Sequence, residues 1–136
     1  MTTDELNKIK KEIELDLMIN DENVLSKSLQ IPHIYQKYLS VFIKESFILK
    51  KMKIELDIMY GDRFKYLREQ NSRKLTQGDT ECYIMSEESY QKKNLEYQFQ
   101  ELICRFLEEI TQKIKNLSFD IKNYVELKIF LGGGKG

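Results

Sequence analysis

Between Pro32 and Gly132 the chain has only two glycines, Gly61 and Gly78, and no second proline. Sheets and bundles of short helices need frequent turns, and turns draw on residues that supply special backbone angles or local side-chain hydrogen bonds. A chain this poor in breakers is expected to form long helices. Its 136 residues suit one domain, and an apolar content of 41% is enough for a modest core.

The spacing of apolar residues gives those helices provisional limits. Thr2 followed by Glu5 fits a capping box, and Leu6, Ile9, Ile13 and Leu17 recur at helical intervals. A short N-terminal helix should end near Asn20 and Asp21. Residues 1–22 carry seven acids against three lysines, so this arm would repel DNA and its face should meet protein. From Pro32, a favourable helix-start residue, to Arg68, a heptad seam runs through Tyr35, Tyr38, Phe42, Leu49, Met52, Leu56, Met59 and Tyr66. Glu45 and Arg63 are its polar interruptions. Ile34, Val41 and Ile48 widen the stripe in the manner of a bundle helix. Periodicity fades over 70–88, where Asn71, Ser72, Gln77, Gly78, Asp79 and Thr80 predict a loop. A second long helix is expected over 89–117, with Leu95, Phe99, Leu102, Phe106, Ile110, Ile114 and Leu117 on its buried face. Ser118 can cap a last short helix over 118–131, which Gly132 can stop.

That final segment places Phe119, Ile121, Tyr124, Val125, Ile129 and Phe130 nearly all around a helix of about three turns. It must either plug the hairpin or meet other subunits, and the second is the expectation. The fold class is therefore all-α: a long antiparallel helical hairpin with a short N-terminal helix and a short apolar C-terminal helix, assembled into a homo-oligomer. The whole chain, 1–136, is one helical domain.

Composition excludes much chemistry. Lysine plus arginine and aspartate plus glutamate each number 22, so no global basic field attracts a polyanion. Cys82 and Cys104 lie in unlike contexts and are expected to be reduced thiols. The one histidine, His33, has no carboxylate or cysteine at a useful local spacing. No catalytic residues, metal site or cofactor are predicted, and the chain is not expected to be an enzyme. The Gly-Lys pair in the tail lacks the serine or threonine and the helix that a phosphate loop requires. An acidic N-terminus and the absence of a long apolar run predict no signal peptide and no membrane partner.

One stretch favours a ligand. Residues 50–74 carry eight cations, among them Lys53, Arg63, Lys65, Arg68, Arg73 and Lys74, against four acids. Phe64 and Tyr66 are interleaved with them. Single-stranded DNA offers phosphates to cations and unpaired bases to rings, so Lys53, Arg63, Phe64, Lys65, Tyr66, Arg68, Arg73 and Lys74 are the candidate DNA contacts. The ordinary alternative is a solvated lysine face beside a helical core.

Residue order adds a resemblance. Lys27 to Met52 contains Ser28, Leu29, Ile31, Pro32, Lys37, Tyr38, Leu39, Leu49, Lys50 and Lys51 in an order similar to the UvsY family of T4-like and marine phages. Tyr90, Gln91 and Lys92 open the later helix as in that family. Asn116, Phe119, Ile121, Lys122 and Asn123 resemble its C-terminal Asn-Arg-Gly-Phe-x-Ile-Lys signature, with Leu117 and Ser118 in place of Arg-Gly.

The resemblance implies a recombination mediator in the host-cell cytoplasm that loads a RecA-like phage recombinase in place of the phage single-strand-binding protein. Both proteins and single-stranded DNA would be its partners, and a ring-like homo-oligomer of more than four subunits its working form. Arg63 and Tyr66 fit the family's DNA-contacting motif, whereas Gly61 stands where its first basic residue is expected, Leu67 replaces its second aromatic, and the following glycine is missing. A helical adaptor that kept the scaffold and weakened its DNA contacts is the other function class these residues allow.

Overall fold

The structure, a computed structural model, describes residues 1–70 and 75–133. Among them are four helices and no strand: α1 Thr3–Leu17, α2 Val24–Gln70, α3 Gln77–Ser86 and α4 Glu88–Leu131. Packing divides the chain into two compact units, Met1–Lys44 with Arg105–Gly136, and Glu45–Cys104. The helices α2 and α4 contribute to both; α1 belongs to the first unit and α3 to the second.

The first unit grows from the capping box. The Thr2 amide donates to Glu5 Oε2 at 2.9 Å and the Glu5 amide donates to Thr2 Oγ1 at 3.2 Å, so two otherwise orphaned amides are satisfied. At the other end of α1, Lys27 Nζ donates to the Leu15 carbonyl at 3.2 Å, a cation on the negative end of the helix. Ile13 of α1, Ile34 and Tyr38 of α2, and Ile110 and Ile114 of α4 form the core, with Ile9, Leu17, Tyr35 and Phe106 against it. The acidic arm thus does meet protein, and that protein is its own chain. Lys37 bridges Asp16 at 3.1 Å and Glu12 at 3.4 Å, while Tyr38 Oη donates to Asp16 at 2.5 Å. Burial and the adjoining carboxylate push the Tyr38 phenol well above its ordinary value. Burial also works to raise Asp16, but the bonds from Tyr38 and Lys37 prevail and hold its carboxyl below the usual value.

The long helix begins at Val24, eight positions before Pro32. Asn20 and Asn23 explain the earlier start. Asn20 Oδ1 accepts the amides of Glu22 and Asn23, and Asn23 Oδ1 accepts the amide of Asn20, which closes a side-chain turn that leads directly into α2. Pro32 is therefore inside the helix and deprives the Ser28 carbonyl of its usual donor. Both residues are exposed, so water can take that carbonyl.

In the second unit Leu56 of α2, Ile84 of α3 and Tyr90 of α4 are buried together, surrounded by Met59, Tyr60, Phe64, Leu67 and Tyr97. Of the loop expected over 70–88, Asn71 and Ser72 lie outside the described residues, and Gln77–Ser86 is helix α3. Thr76 caps α3 by accepting the Asp79 amide at 3.1 Å, and Thr80 and Ile84, one turn apart, are both fully buried. The polar run Gln77 to Thr80 is a capped first turn of helix, and the same polar residue types also suit loops.

Two further boundaries change. Ser118 does not cap a separate C-terminal helix, because α4 runs through it to Leu131. Leu117 and Ile121 on either side are both buried, so the core stripe continues without a break. The stop is as expected: the Gly132 amide donates to the Lys128 carbonyl at 2.9 Å and Gly133 turns at φ 101°, where a side chain would be strained.

The expected buried face of α4 holds only in part. Ile110, Ile114 and Leu117 are buried, but Leu95, Phe99 and Leu102 are exposed, and Gln100, Ile103, Cys104 and Leu107 take the inner positions. Chemistry on α2 selects this register. Buried Glu45 needs a donor, and Gln100 Nε2 gives one bond to its carboxylate at 2.7 Å and another to its carbonyl at 3.0 Å.

Candidate nucleic-acid interface

The described candidates for DNA contact, Lys53, Arg63, Phe64, Lys65, Tyr66 and Arg68, all lie on α2 within the second unit; Arg73 and Lys74 fall outside the described residues. A helix turns about 100° per residue, so neighbours in sequence separate in space. Measured from buried Leu56, Lys53, Phe64 and Arg68 fall on one flank. Arg63 lies near the core line and leads to Tyr66 on the other flank, and Lys65 points away from the core. The cluster that is continuous in sequence is divided around the helix.

Each side chain accordingly has its own setting. Phe64 packs against the core and its ring lies 6.3 Å from that of Tyr60, so one of its faces is already taken. Arg68 lies over Phe64 at 5.6 Å. Lys53 bridges Asp57 one turn on at 3.1 Å and lies 5.7 Å from the Tyr97 ring of α4. The hydrogen bond to Asp57 pushes the Lys53 ammonium above its ordinary value. Tyr66 is the open ring, 52% exposed, and the Arg63 guanidinium stacks over it at 4.9 Å. Such a cation and ring together offer a phosphate contact and a stacking face.

Arg63 has a second partner that sequence reading missed. Its Nε donates to Glu87 Oε1 at 3.0 Å. The two residues are 24 positions apart and only the placement of the α3–α4 junction brings them together, so no local pattern announces the pair. Exposed Lys92 and Lys93 at the start of α4 were visible as an adjacent cationic pair, and neither makes an ion pair among the described residues. An open groove beside Arg63 is lined by Glu55, Ile58, Met59, Asp62 and Lys93.

The residues expected to drive self-association divide as well. Phe119, Val125, Ile129 and Phe130 are exposed at the end of α4, as are Leu127 and Leu131. Ile121 is instead buried within its own unit and leaves that set. Tyr124 is half-buried, and its hydroxyl donates to Asp21, which also pairs with Lys128 at 3.2 Å. Among the described residues no cluster of histidine, cysteine, aspartate and glutamate could hold a metal ion. No described helix is long and apolar enough to cross a membrane.

No curated protein sequence matches the chain. Two crystal structures of the bacteriophage T4 recombination mediator protein UvsY resemble it closely in fold, each at 14% identity. The lattice type IV structure gives a TM-score of 0.80 over 92% of this chain and 97% of that one. The lattice type II structure gives 0.83 over 98% and 99%. A family model described as the recombination, repair and ssDNA binding protein UvsY matches residues 12–134, and the chain therefore belongs to the UvsY family.

Proposed function

We propose that the chain is a recombination mediator that binds single-stranded DNA along the C-terminal part of α2 and promotes loading of a RecA-like phage recombinase in place of the phage single-strand-binding protein. The observation that carries this reading is the Arg63 guanidinium stacked on the exposed ring of Tyr66 in a chain of this family. Lys65 and Arg68 add phosphate contacts on other sides of the helix, and Lys53 with Tyr97 supplies a second cation and ring. Phe64 stays with the core and supports Arg68. These groups meet phosphates and ring faces rather than base edges, so binding has little sequence preference.

If a subunit neutralises about four to six phosphates, log affinity for a labelled oligonucleotide falls against log salt with a slope of about −3 to −4. An affinity independent of salt, or none at low salt, rejects the reading. It leaves the helical adaptor, the class favoured by Gly61 where the family carries a basic residue.

The working form we propose is a ring-like homo-oligomer of more than four subunits in the host-cell cytoplasm. Phe119, Val125, Ile129 and Phe130 are large exposed apolar groups, each worth about 1.5 to 3 kcal/mol on full burial. A second copy supplies matching apolar surface, and many copies give one strand a high effective concentration of weak patches. Ile129→Ser with Phe130→Ser should yield a smaller, still helical species in sedimentation that binds DNA more weakly. An unchanged sedimentation coefficient would assign assembly to another surface.

A further inference from the structure

Arg63 already holds an anion. Its Nε–Glu87 bond of 3.0 Å joins groups whose side chains are 35% and 25% exposed, a setting open enough for solvent and ligand to compete. Glu87 itself is fixed by its backbone: its amide donates to the Ile84 carbonyl at 3.1 Å and its carbonyl accepts the Gln91 amide at 3.0 Å. Only its side chain has freedom. The contact of Arg63 with Tyr66 does not involve Glu87, so the guanidinium can change anion while keeping its ring. Carboxylate and phosphate present similar acceptor oxygens to a guanidinium edge.

We propose that Glu87 is a built-in competitor for the DNA phosphate at Arg63, displaced when a strand binds, and that it sets the affinity of the patch. This rests on the single-strand-binding reading above. An incoming phosphate must take the place of the carboxylate on the guanidinium, so the bond from Arg63 to Glu87 opposes the strand. Neighbouring Glu88 is exposed and makes no ion pair with Arg63 among the described residues. The effect therefore belongs to one acid of the junction and not to its general charge.

The test measures binding of a labelled oligonucleotide to the full-length protein and to E87Q, E88Q, R63A and the E87Q/R63A double variant. E87Q keeps an acceptor of the same length and loses the charge. It should tighten binding about three- to fivefold at low salt, with a gain that shrinks as salt rises and falls in the R63A background to the small gain that E88Q gives. E88Q should give a smaller gain that survives R63A. If R63A weakens binding but E87Q leaves it unchanged or weaker, Glu87 holds Arg63 in place and the proposal is overturned. If R63A has no effect, the assignment of Arg63 to the strand fails first. Should a variant not fold, the unmodified protein still decides: the Arg63 Nε–H resonance must shift and saturate with the oligonucleotide, and a resonance that stays fixed while the strand binds overturns the proposal.

Discussion

The two units share α2 and α4 and differ in the third helix packed against them. The first holds α1 by an aliphatic stripe and by acids that find cations or hydroxyls inside the unit, Asp16 on Lys37 and Tyr38 and Asp21 on Lys128 and Tyr124. The second holds α3 by two fully buried β-branched side chains, Thr80 and Ile84, and by an aromatic shell. Its tie at the end of α3 uses Arg63, a cation of the proposed DNA patch. The contrast teaches that ion pairs in the first unit lie within the packing of its helices, whereas the pair in the second stands at the proposed site, where we propose that it is exchanged.

Core truncation is the strongest way to break this comparison. Ile114→Ala and Ile84→Ala both remove fully buried side chains, so each should cost about 2 to 5 kcal/mol of stability. Denaturant unfolding monitored by circular dichroism reads the total. Hydrogen exchange then distinguishes the units: an Ile84→Ala loss confined to α3, with the denaturation midpoint unmoved, would mean that α3 detaches by itself and is no part of a common core.

A smaller cost is expected at the buried polar pair of the second unit. Gln100→Leu leaves the Glu45 carboxylate without its amide donor and should destabilise by about 1 to 3 kcal/mol. Equal stability of variant and parent would show that Glu45 finds another partner.

The first unit should carry the acid sensitivity. Asp16 has its carboxyl held below the usual value, so its contribution is fully present above the unfolded-state value and is lost as pH falls through the folded one. Tyr38→Phe removes the hydroxyl that bonds it, should cost about 1 to 2 kcal/mol near neutrality, and should flatten the fall of melting temperature on acidification. An acid limb as steep as in the parent would move the sensitive carboxylate elsewhere.

The two helix caps give the smallest effects and the finest comparison. Thr2→Ala and Thr76→Ala each delete one side-chain acceptor of an amide, for about 0.5 to 2 kcal/mol. Fraying should stay within α1 for the first and α3 for the second, as amide exchange can read. If Thr76→Ala also releases the Arg63 Nε–H resonance, the α3 cap reaches the proposed DNA patch.

Local order in the sequence was enough to specify α1 and the presence of two long helices, but not α3. Thr2 with Glu5 set the start of α1, the scarcity of glycine and proline announced long helices without fixing their limits, and Gly132 set the end of α4. These signals act within one or two turns of helix, which is why they can be read along a line. Pro32 and Ser118 misled for the same reason, since each is a good terminal residue that a longer-range stripe kept inside a helix.

What only the tertiary structure decided was which apolar stripe of α4 turns inward and which cations stay open. Leu95, Phe99 and Leu102 are as periodic as the residues that displaced them, and the face that is buried is the one that also gives Glu45 on α2 its Gln100 donor. Arg63 stands out in sequence as an interruption of the seam, yet only the fold brings Glu87 to it. A periodic pattern states that a face exists, whereas its partner depends on contacts between residues far apart in the chain, where the cost of an unpaired buried group selects among faces that hydrophobicity alone leaves equal.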